Sequence, residues 1–240
     1  MATATAARPA VVSALSALPG VGPALISRLA LLGISRPADL LLHLPLRFED
    51  RSRVRAIGTL REGEAALIRG RIEASELGQG RRRALLVSLA DSSGALTLRF
   101  FHFRPAQTQQ LRPGLWIECY GEVRSGPFRA EMVHPEYRLL PGGPDEPLPQ
   151  ATLTPVYPST AGLTQATLRR LIGAALGRCE QFLPELLPAA LRHAEQLPDL
   201  STALRRLHQP PAKALDDTPA ALHRLAIEEL LAHHLSLRQR

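Results

Sequence analysis

Two kinds of hydrophobic pattern divide the sequence, and they change near residues 50 and 145. Near the start of the chain, and again after about residue 165, apolar residues recur every three or four positions, which predicts amphipathic helices. In the middle, apolar and polar residues alternate in short runs, which predicts half-buried strands. We therefore predict three regions: a helical segment at 1–50, a β-rich domain at 51–145, and a Pro-rich linker followed by helices at 146–240.

The helical regions carry clear turn and cap signals. Near the start, Pro19-Gly20-Val21-Gly22-Pro23 predicts a compact turn between two helices, and a third helix is predicted at Pro37–Leu44. The Pro- and Gly-rich stretch 141–150 favours a linker, and Thr164 is the expected N-cap of the helix that follows it. Because the last helix is still running at Arg240, we expect the chain to be part of a longer protein. The later helices are predicted at Gln165–Cys179, Glu185–Gln196, Ser201–His208 and Pro219–Arg240.

The middle region predicts five strands with one short helix between the third and the fourth. The order of three strands, a helix and two strands is that of an OB-fold barrel. The predicted fold class is therefore α+β: a five-stranded OB-fold β-barrel flanked by N-terminal helices and a C-terminal helical linker region. The predicted strands are Ala66–Glu73, Arg83–Leu89, Ala95–Phe103, Leu115–Val123 and Phe128–Leu139, and the helix is Pro105–Leu111.

The third predicted strand has an unusual outer face. Since side chains alternate along a strand, Leu96, Leu98 and Phe100 share the core face. The other face carries Thr97, Arg99, Phe101 and Phe103. An arginine beside two aromatic rings on an outer face favours base stacking, as in OB-folds that bind single strands. The alternative is that Phe101 or Phe103 packs against a neighbouring helix.

Positive charge indicates a polyanionic partner. The net charge is +7, and arginine supplies every basic residue except Lys213. Nucleic acid is the usual partner of so basic a domain, although a solvated basic surface is the alternative. The OB-fold hairpins, including the one with Arg81–Arg83, are expected to contact phosphates. The predicted backbone contacts are Arg69, Arg71, Arg81, Arg82, Arg83, Arg99, Arg104, Arg124 and Arg129.

The early glycine turn is a second candidate contact. Gly20 and Gly22 precede a helix, whose N-terminal N–H groups can bind a phosphate. Without a nearby lysine or arginine in the sequence, a purely structural tight turn is the alternative.

Enzyme signatures are absent from the sequence. There is no G-x-x-x-x-G-K-[ST] phosphate loop, no nucleophile elbow and no metal-binding histidine spacing, so we predict no catalytic residue, metal or cofactor for this chain. Cys119 and Cys179 form no CxxC pair, which favours reduced thiols in the cytoplasm. No apolar run approaches the roughly 20 residues needed to span a bilayer. We expect a monomer without a membrane partner.

Several stretches, in order along the chain, resemble the RecG family of ATP-dependent DNA helicases. They include Leu18-Pro19-Gly20-Val21-Gly22, Leu98-Arg99-Phe100-Phe101-His102-Phe103 and Glu131-Met132-Val133-His134-Pro135-Glu136-Tyr137. The resemblance implies a wedge domain that binds replication forks and Holliday junctions and separates strands, with Phe100 and Phe101 as wedge aromatics. It also implies motor domains in cis that use ATP and Mg²⁺, a role in recombination and repair, and a bacterial, nucleoid-associated location, with single-strand-binding protein as a further partner.

Two other functions remain open from the sequence. One is a stand-alone OB-fold protein that binds single-stranded DNA or RNA. The other is a scaffold whose C-terminal helices dock onto a partner domain, because their apolar stripes need a surface to cover.

Overall fold

A computed structural model of the chain describes residues 15–78, 83–147, 153–211 and 218–238. Its contacts divide into two compact units, one at residues 51–151 and one formed by residues 1–50 together with 152–240. The strands are β1 (Arg47–Glu49), β2 (Val54–Arg55), β3 (Ala65–Gly78), β4 (Ala84–Ala90), β5 (Ala95–Phe100), β6 (Trp116–Ser125), β7 (Ala130–Val133), β8 (Glu136–Leu139) and β9 (Thr154–Val156). The helices are α1 (Pro23–Ala30), α2 (Pro37–Leu42), α3 (Pro105–Gln110), α4 (Gln165–Leu176), α5 (Cys179–Phe182), α6 (Ala189–Ala194), α7 (Leu200–His208) and α8 (Thr218–Arg238), with a 3-10 turn at Ile57–Thr59.

The unit at 51–151 is a closed β-barrel. The strands follow the order β2-β3-β4-β5-β7-β6-β8, and an additional pairing of β3 with β6 closes the sheet on itself. The β5–β7 pair is parallel, whereas β3–β4, β4–β5 and β6–β7 are antiparallel. Helix α3 lies in the chain between β5 and β6, as in the predicted order. The five-stranded OB-fold prediction is confirmed, with β7 and β8 together as the fifth strand.

Strand lengths differ from the prediction for local reasons. The third strand ends at Phe100 rather than Phe103, so Phe101 begins the loop that leads into α3. The predicted fifth strand is interrupted at His134, which adopts a left-handed conformation with φ of 50°, and at Pro135, which has no N–H for the ladder. Strand β3 is longer than predicted and contains a bulge between Ile72 and Ala74.

The barrel core follows the predicted alternation. Along β5, Leu96, Leu98 and Phe100 are buried while the residues between them are partly exposed. The buried side of the barrel also takes the Cys119 thiol, whose pKa is raised by burial and by the neighbouring Glu118. This thiol is therefore a core group rather than a nucleophile.

The other unit is formed by the first and last segments of the chain, residues 1–50 and 152–240. Strand β1 pairs antiparallel with β9, with Phe48 opposite Pro155. One hydrophobic cluster contains residues from both segments, so the regions 1–50 and 146–240, predicted separately, contribute to a common core. Its fully buried members include Leu29, Leu40, Leu41, Leu168, Leu171 and Leu204.

A buried polar group also connects the ends of this unit. His208 is fully buried, its Nδ1 lies 3.0 Å from the Tyr157 hydroxyl, and its Nε2 lies 2.8 Å from the Leu41 carbonyl oxygen. Burial lowers the pKa of His208, so the neutral ring accepts from Tyr157 and donates to Leu41. Elsewhere in the unit, Thr164 caps α4 as predicted by accepting a hydrogen bond from the Thr167 N–H.

The helix predicted at Glu185–Gln196 is shorter than expected. Only Ala189–Ala194 is helical, because Pro188 stands at its N-cap and the preceding residues form a loop. No helix within the described residues combines the length and apolar character that crossing a membrane requires.

Candidate nucleic-acid interface

The end of β5 presents an aromatic surface beside an open groove of about 490 Å³. Phe101 is 36% exposed at the mouth of this groove, and Phe103 is partly buried. Helix α3 supplies the opposite wall. We call this the Phe101 groove, and its lining includes Leu77, Arg83, Phe101, His102, Phe103 and Thr108.

Phe100 occupies a different environment from the other two rings. It is only 3% exposed and lies in the barrel core, with its ring edge-on to Tyr137 at 5.6 Å between centroids. A base cannot stack on a ring that is covered on both sides. Of the two wedge aromatics that the family resemblance implies, the structure therefore buries Phe100 and leaves Phe101 accessible.

Arg99 supports Phe101 from the outer face of β5. Its guanidinium carbon lies 5.9 Å from the centre of the Phe101 ring, within the outer range of a cation–π contact. The same guanidinium pairs with Glu131 on β7 at 2.7 Å, and its Nε donates to that carboxylate at 2.9 Å. Because the ion pair with Glu131 fixes its position, the Arg99 guanidinium supports the Phe101 ring. A phosphate would have to compete with Glu131 for this guanidinium.

His134 holds the backbone of Phe101. The Phe101 N–H donates to His134 Nε2 at 3.2 Å, and the His134 ring centre lies 5.9 Å from that of Phe101. His102 stacks on His134, at 5.7 Å between ring centres. Desolvation and the nearby His102 lower the pKa of His134, which keeps Nε2 unprotonated and able to accept.

Acidification should release this bond. The pKa of His134 lies below its ordinary value of 6.5, so the neutral acceptor dominates at neutral pH and is lost as pH falls through the lowered pKa. If the Phe101 groove binds forked DNA, the preference for forked over linear DNA should fall as pH drops below about 6.5, because Phe101 then loses its hydrogen bond to His134. Fluorescence titrations with forked and linear DNA at several pH values measure the ratio of the two dissociation constants.

The matched variant for that titration is His134→Gln, whose amide oxygen can accept the same N–H without titrating. We expect its fork preference to be nearly independent of pH. A variant that retained the full pH dependence of the wild-type chain would show that a different group titrates.

Arg69 does not belong to the interface. It is 9% exposed, and its Nε and Nη2 both donate to Glu118, at 2.9 and 2.8 Å. Its Nη1 donates to the carbonyl oxygens of Pro144 and Glu146. The predicted phosphate contact at Arg69 is therefore replaced by a structural role, because every arm of the guanidinium is engaged inside the barrel unit.

The remaining predicted arginines that the structure describes are exposed or partly exposed. Arg124 is paired with Glu122 at 3.4 Å, and Arg129 donates to the Ser88 hydroxyl at 3.2 Å. Arg83 lies over the Phe103 ring at 5.9 Å. Arg81 and Arg82 lie outside the described residues. Among the predicted contacts, the exposed arginines that make no ion pair with the carboxylates of the described segments are Arg71, Arg83, Arg104 and Arg129.

The early glycine turn is covered by an arginine from later in the chain. Gly20 has φ of +73°, and the position of an added Cβ lies 3.2 Å from Arg170 Nη1. The same guanidinium donates to the Pro19 carbonyl oxygen. Gly22, in contrast, has open space around it and is the N-cap of α1. Arg170 therefore stabilises the turn itself, which supports the structural alternative for Gly20.

One exposed aromatic residue was missed by the sequence prediction. Phe128 lies in the hairpin between β6 and β7 and is 98% exposed. The alternating pattern assigned it to the start of the fifth strand. The Gly126-Pro127 pair before it is the signal that predicts a turn there instead.

No metal centre is formed within the described segments, where no three histidine, cysteine, aspartate or glutamate side chains cluster suitably. The arrangement offers aromatic faces, guanidinium groups and hydroxyls at the barrel surface. These groups are suited to binding bases and phosphates.

The sequence matches the family described as the RecG wedge domain over residues 17–178. It is 44% identical to the ATP-dependent DNA helicase RecG of Escherichia coli strain K12 over 228 residues, covering 93% of this chain and 33% of that protein. The RecG of Pasteurella multocida is 40% identical over 230 residues, with 94% and 33% covered. The chain thus spans about a third of the length of these relatives.

A solved structure described as RecG bound to a three-way DNA junction has the same fold. It superposes with a TM-score of 0.72 at 24% identity, covering 91% of this chain and 30% of that one. The barrel with its flanking helices is therefore shared, and the family match extends from the early glycine turn to the end of α4. The family match over residues 17–178 shows that the chain belongs to the RecG wedge domain family.

Proposed function

We propose that this chain binds branched DNA, such as replication forks and Holliday junctions, and separates strands at the branch point. The observation that carries the proposal is the exposed ring of Phe101, braced by Arg99 and held through its backbone by His134. A rigid aromatic edge can stack on the first unpaired base of an opened duplex. The RecG that binds a three-way junction shares the fold, which supports the choice of substrate.

Charge near the Phe101 groove supports the same proposal. Arg83 lines the groove, the exposed Arg104 directly follows its lining residue Phe103 in the chain, and no described residue that lines the groove is acidic. Guanidinium groups there would hold the phosphates of the two separating strands while the ring keeps the bases apart. Binding through such contacts should weaken steeply with salt, because counterions are released from the DNA.

We further propose that the whole protein is an ATP-dependent DNA helicase acting in recombination and repair. The named activity of the relatives supports this proposal. In the whole protein, motor domains on the same polypeptide would bind ATP and Mg²⁺ and pull the duplex arms, and this chain would separate the strands. Single-strand-binding protein as a partner, a monomeric state and a cytoplasmic, nucleoid-associated location in bacteria remain predictions.

Replacing Phe101 by alanine tests the proposed wedge. We expect Phe101→Ala to weaken binding to forked DNA by about 1–3 kcal/mol, the free energy of stacking one base, and to leave linear duplex binding nearly unchanged. Fluorescence anisotropy with matched forked and linear DNAs measures both dissociation constants. The variant Phe101→Trp, which keeps a stacking surface, should retain the fork preference.

Leu115→Ala is the matched control, because Leu115 is 42% exposed on the same unit and does not line the Phe101 groove. It should behave like the wild-type chain. Equal wild-type affinity for forked and linear DNA would contradict the proposed function. Tight binding to single strands with no gain from a junction would favour a general single-strand-binding protein instead.

A further inference from the structure

The hairpin between β6 and β7 carries a second aromatic surface. Its turn is closed by a hydrogen bond from the Gly126 N–H to the Arg129 carbonyl oxygen at 3.1 Å. Pro127 fixes one backbone angle of this turn. An alanine-like Cβ at Gly126 would stand 2.4 Å from the Arg129 oxygen, so the tight geometry depends on glycine. This turn presents Phe128 with 98% of its surface exposed.

Phe128 borders an open groove of about 400 Å³ on the outer face of β3, β4 and β5. We call this the Phe128 groove. It contains the hydroxyl groups of Ser88 and Thr97, which can bond to base edges. The formal charges of its lining sum to zero, because the two carboxylates of Glu76 and Glu131 offset the two guanidinium groups of Arg99 and Arg129. A neutral groove with hydroxyls and an aromatic border suits bases better than phosphates.

Arg99 connects this groove to the Phe101 surface. It lines the Phe128 groove and also lies against the Phe101 ring. Strands β5 and β7 run parallel with Thr97 opposite Glu131. Phe128 lies three positions before that pair, in the turn, and Phe101 lies four positions after it. Seven positions of extended strand would span roughly 23 Å, so the backbones of the two residues are at most that far apart.

We propose that a single strand of DNA leaving the Phe101 edge runs along the outer face of β5, and that one of its bases stacks on Phe128. This inference rests on the proposed function and adds a second, distal binding site to it. A span of at most roughly 23 Å corresponds to no more than about seven nucleotides at the duplex spacing of 3.4 Å. The strand would therefore reach Phe128 no more than about seven nucleotides from the branch, within the usual footprint of an OB-fold.

The length of the single-stranded arm tests this path. The full 240-residue chain is titrated with forked DNAs whose unpaired arm is about two or about twelve nucleotides long, so that only the longer arm reaches Phe128. We expect Phe128→Ala to weaken binding to the long-armed fork about 5- to 100-fold and to leave the short-armed fork unchanged. Phe101→Ala should weaken binding to both.

Each outcome separates this inference from the proposed function. If Phe128→Ala binds both forks like the wild-type chain while Phe101→Ala is impaired, the strand path is wrong and the wedge stands. An equal loss on both arm lengths would also overturn the path, because Phe128 would then act at the branch. Phe128→Trp should restore the wild-type affinity for the long arm, whereas Phe128→Leu, equally apolar but not aromatic, should not.

Discussion

Replacing Arg69 by alanine is expected to destabilise the barrel by up to about 3–5 kcal/mol, because it leaves a buried carboxylate with only one of its two arginine partners. Glu118 is 7% exposed and receives two hydrogen bonds from Arg69 and one, at 2.8 Å, from Arg138. Removing Arg69 also leaves the carbonyl oxygens of Pro144 and Glu146 without a donor. Urea unfolding followed by the fluorescence of Trp116, the only tryptophan, reports on this unit.

The control for that experiment is Arg71→Ala, two residues further along the same strand. Arg71 is exposed and makes only a long contact, at 3.4 Å, to the Gly114 carbonyl oxygen. We expect its loss to change stability by less than about 0.5 kcal/mol. Unchanged unfolding of Arg69→Ala together with weakened DNA binding would contradict the structural role and restore Arg69 to the interface.

Replacing Arg224 by alanine should have a comparable effect on the helical unit, about 3–5 kcal/mol. Arg224 lies on α8 with no exposed surface, and it donates to Glu185 at 2.8 Å and to Glu228 at 2.7 Å. Without the guanidinium, two carboxylates would face each other across a cavity. Circular dichroism at the helix band follows this unit, while Trp116 fluorescence should remain as in the wild-type chain.

Arg238→Ala, on the exposed end of the same helix, is the matched control and should leave unfolding unchanged. The variant Arg224→Met, which fills most of the volume, should recover part of the loss by removing the cavity but not the unpaired charges. If Arg224→Ala unfolded like the wild-type chain, the buried ion pairs would contribute no net stability.

The barrel could be predicted from the sequence because its information is local. Alternation along Leu96, Leu98 and Phe100 identifies the core face without any knowledge of neighbouring strands. The same alternation predicts that Phe101 points outwards, and its exposure agrees. The interface could therefore be placed at the end of β5 from the pattern alone, although its role in binding DNA remains a proposal.

What could not be predicted depends on distant parts of the chain. Arg69 meets Glu118, which follows 49 residues later, and segment 144–146, which the composition assigns to a linker. Nothing near Arg69 distinguishes it from the exposed Arg71. The support that His134 gives to Phe101 is equally non-local, since it requires the break between β7 and β8. The exposure of Phe128 was not predicted because the alternating pattern assigned this residue to a strand, whereas it lies in the turn between β6 and β7.

The way in which the barrel interrupts the helical unit has a consequence for synthesis on the ribosome. Leu29 and Leu41 have their packing partners on α4 and α7, which follow the whole barrel in the chain. At roughly 5–20 residues per second, the hundred or so intervening residues take about 5–20 s to be made. During that interval the apolar faces of the first helices lack their later packing partners, whereas the barrel needs only its own strands, all of which precede α4 in the chain. We expect the barrel to fold first and the helical unit to close only after α7 has emerged.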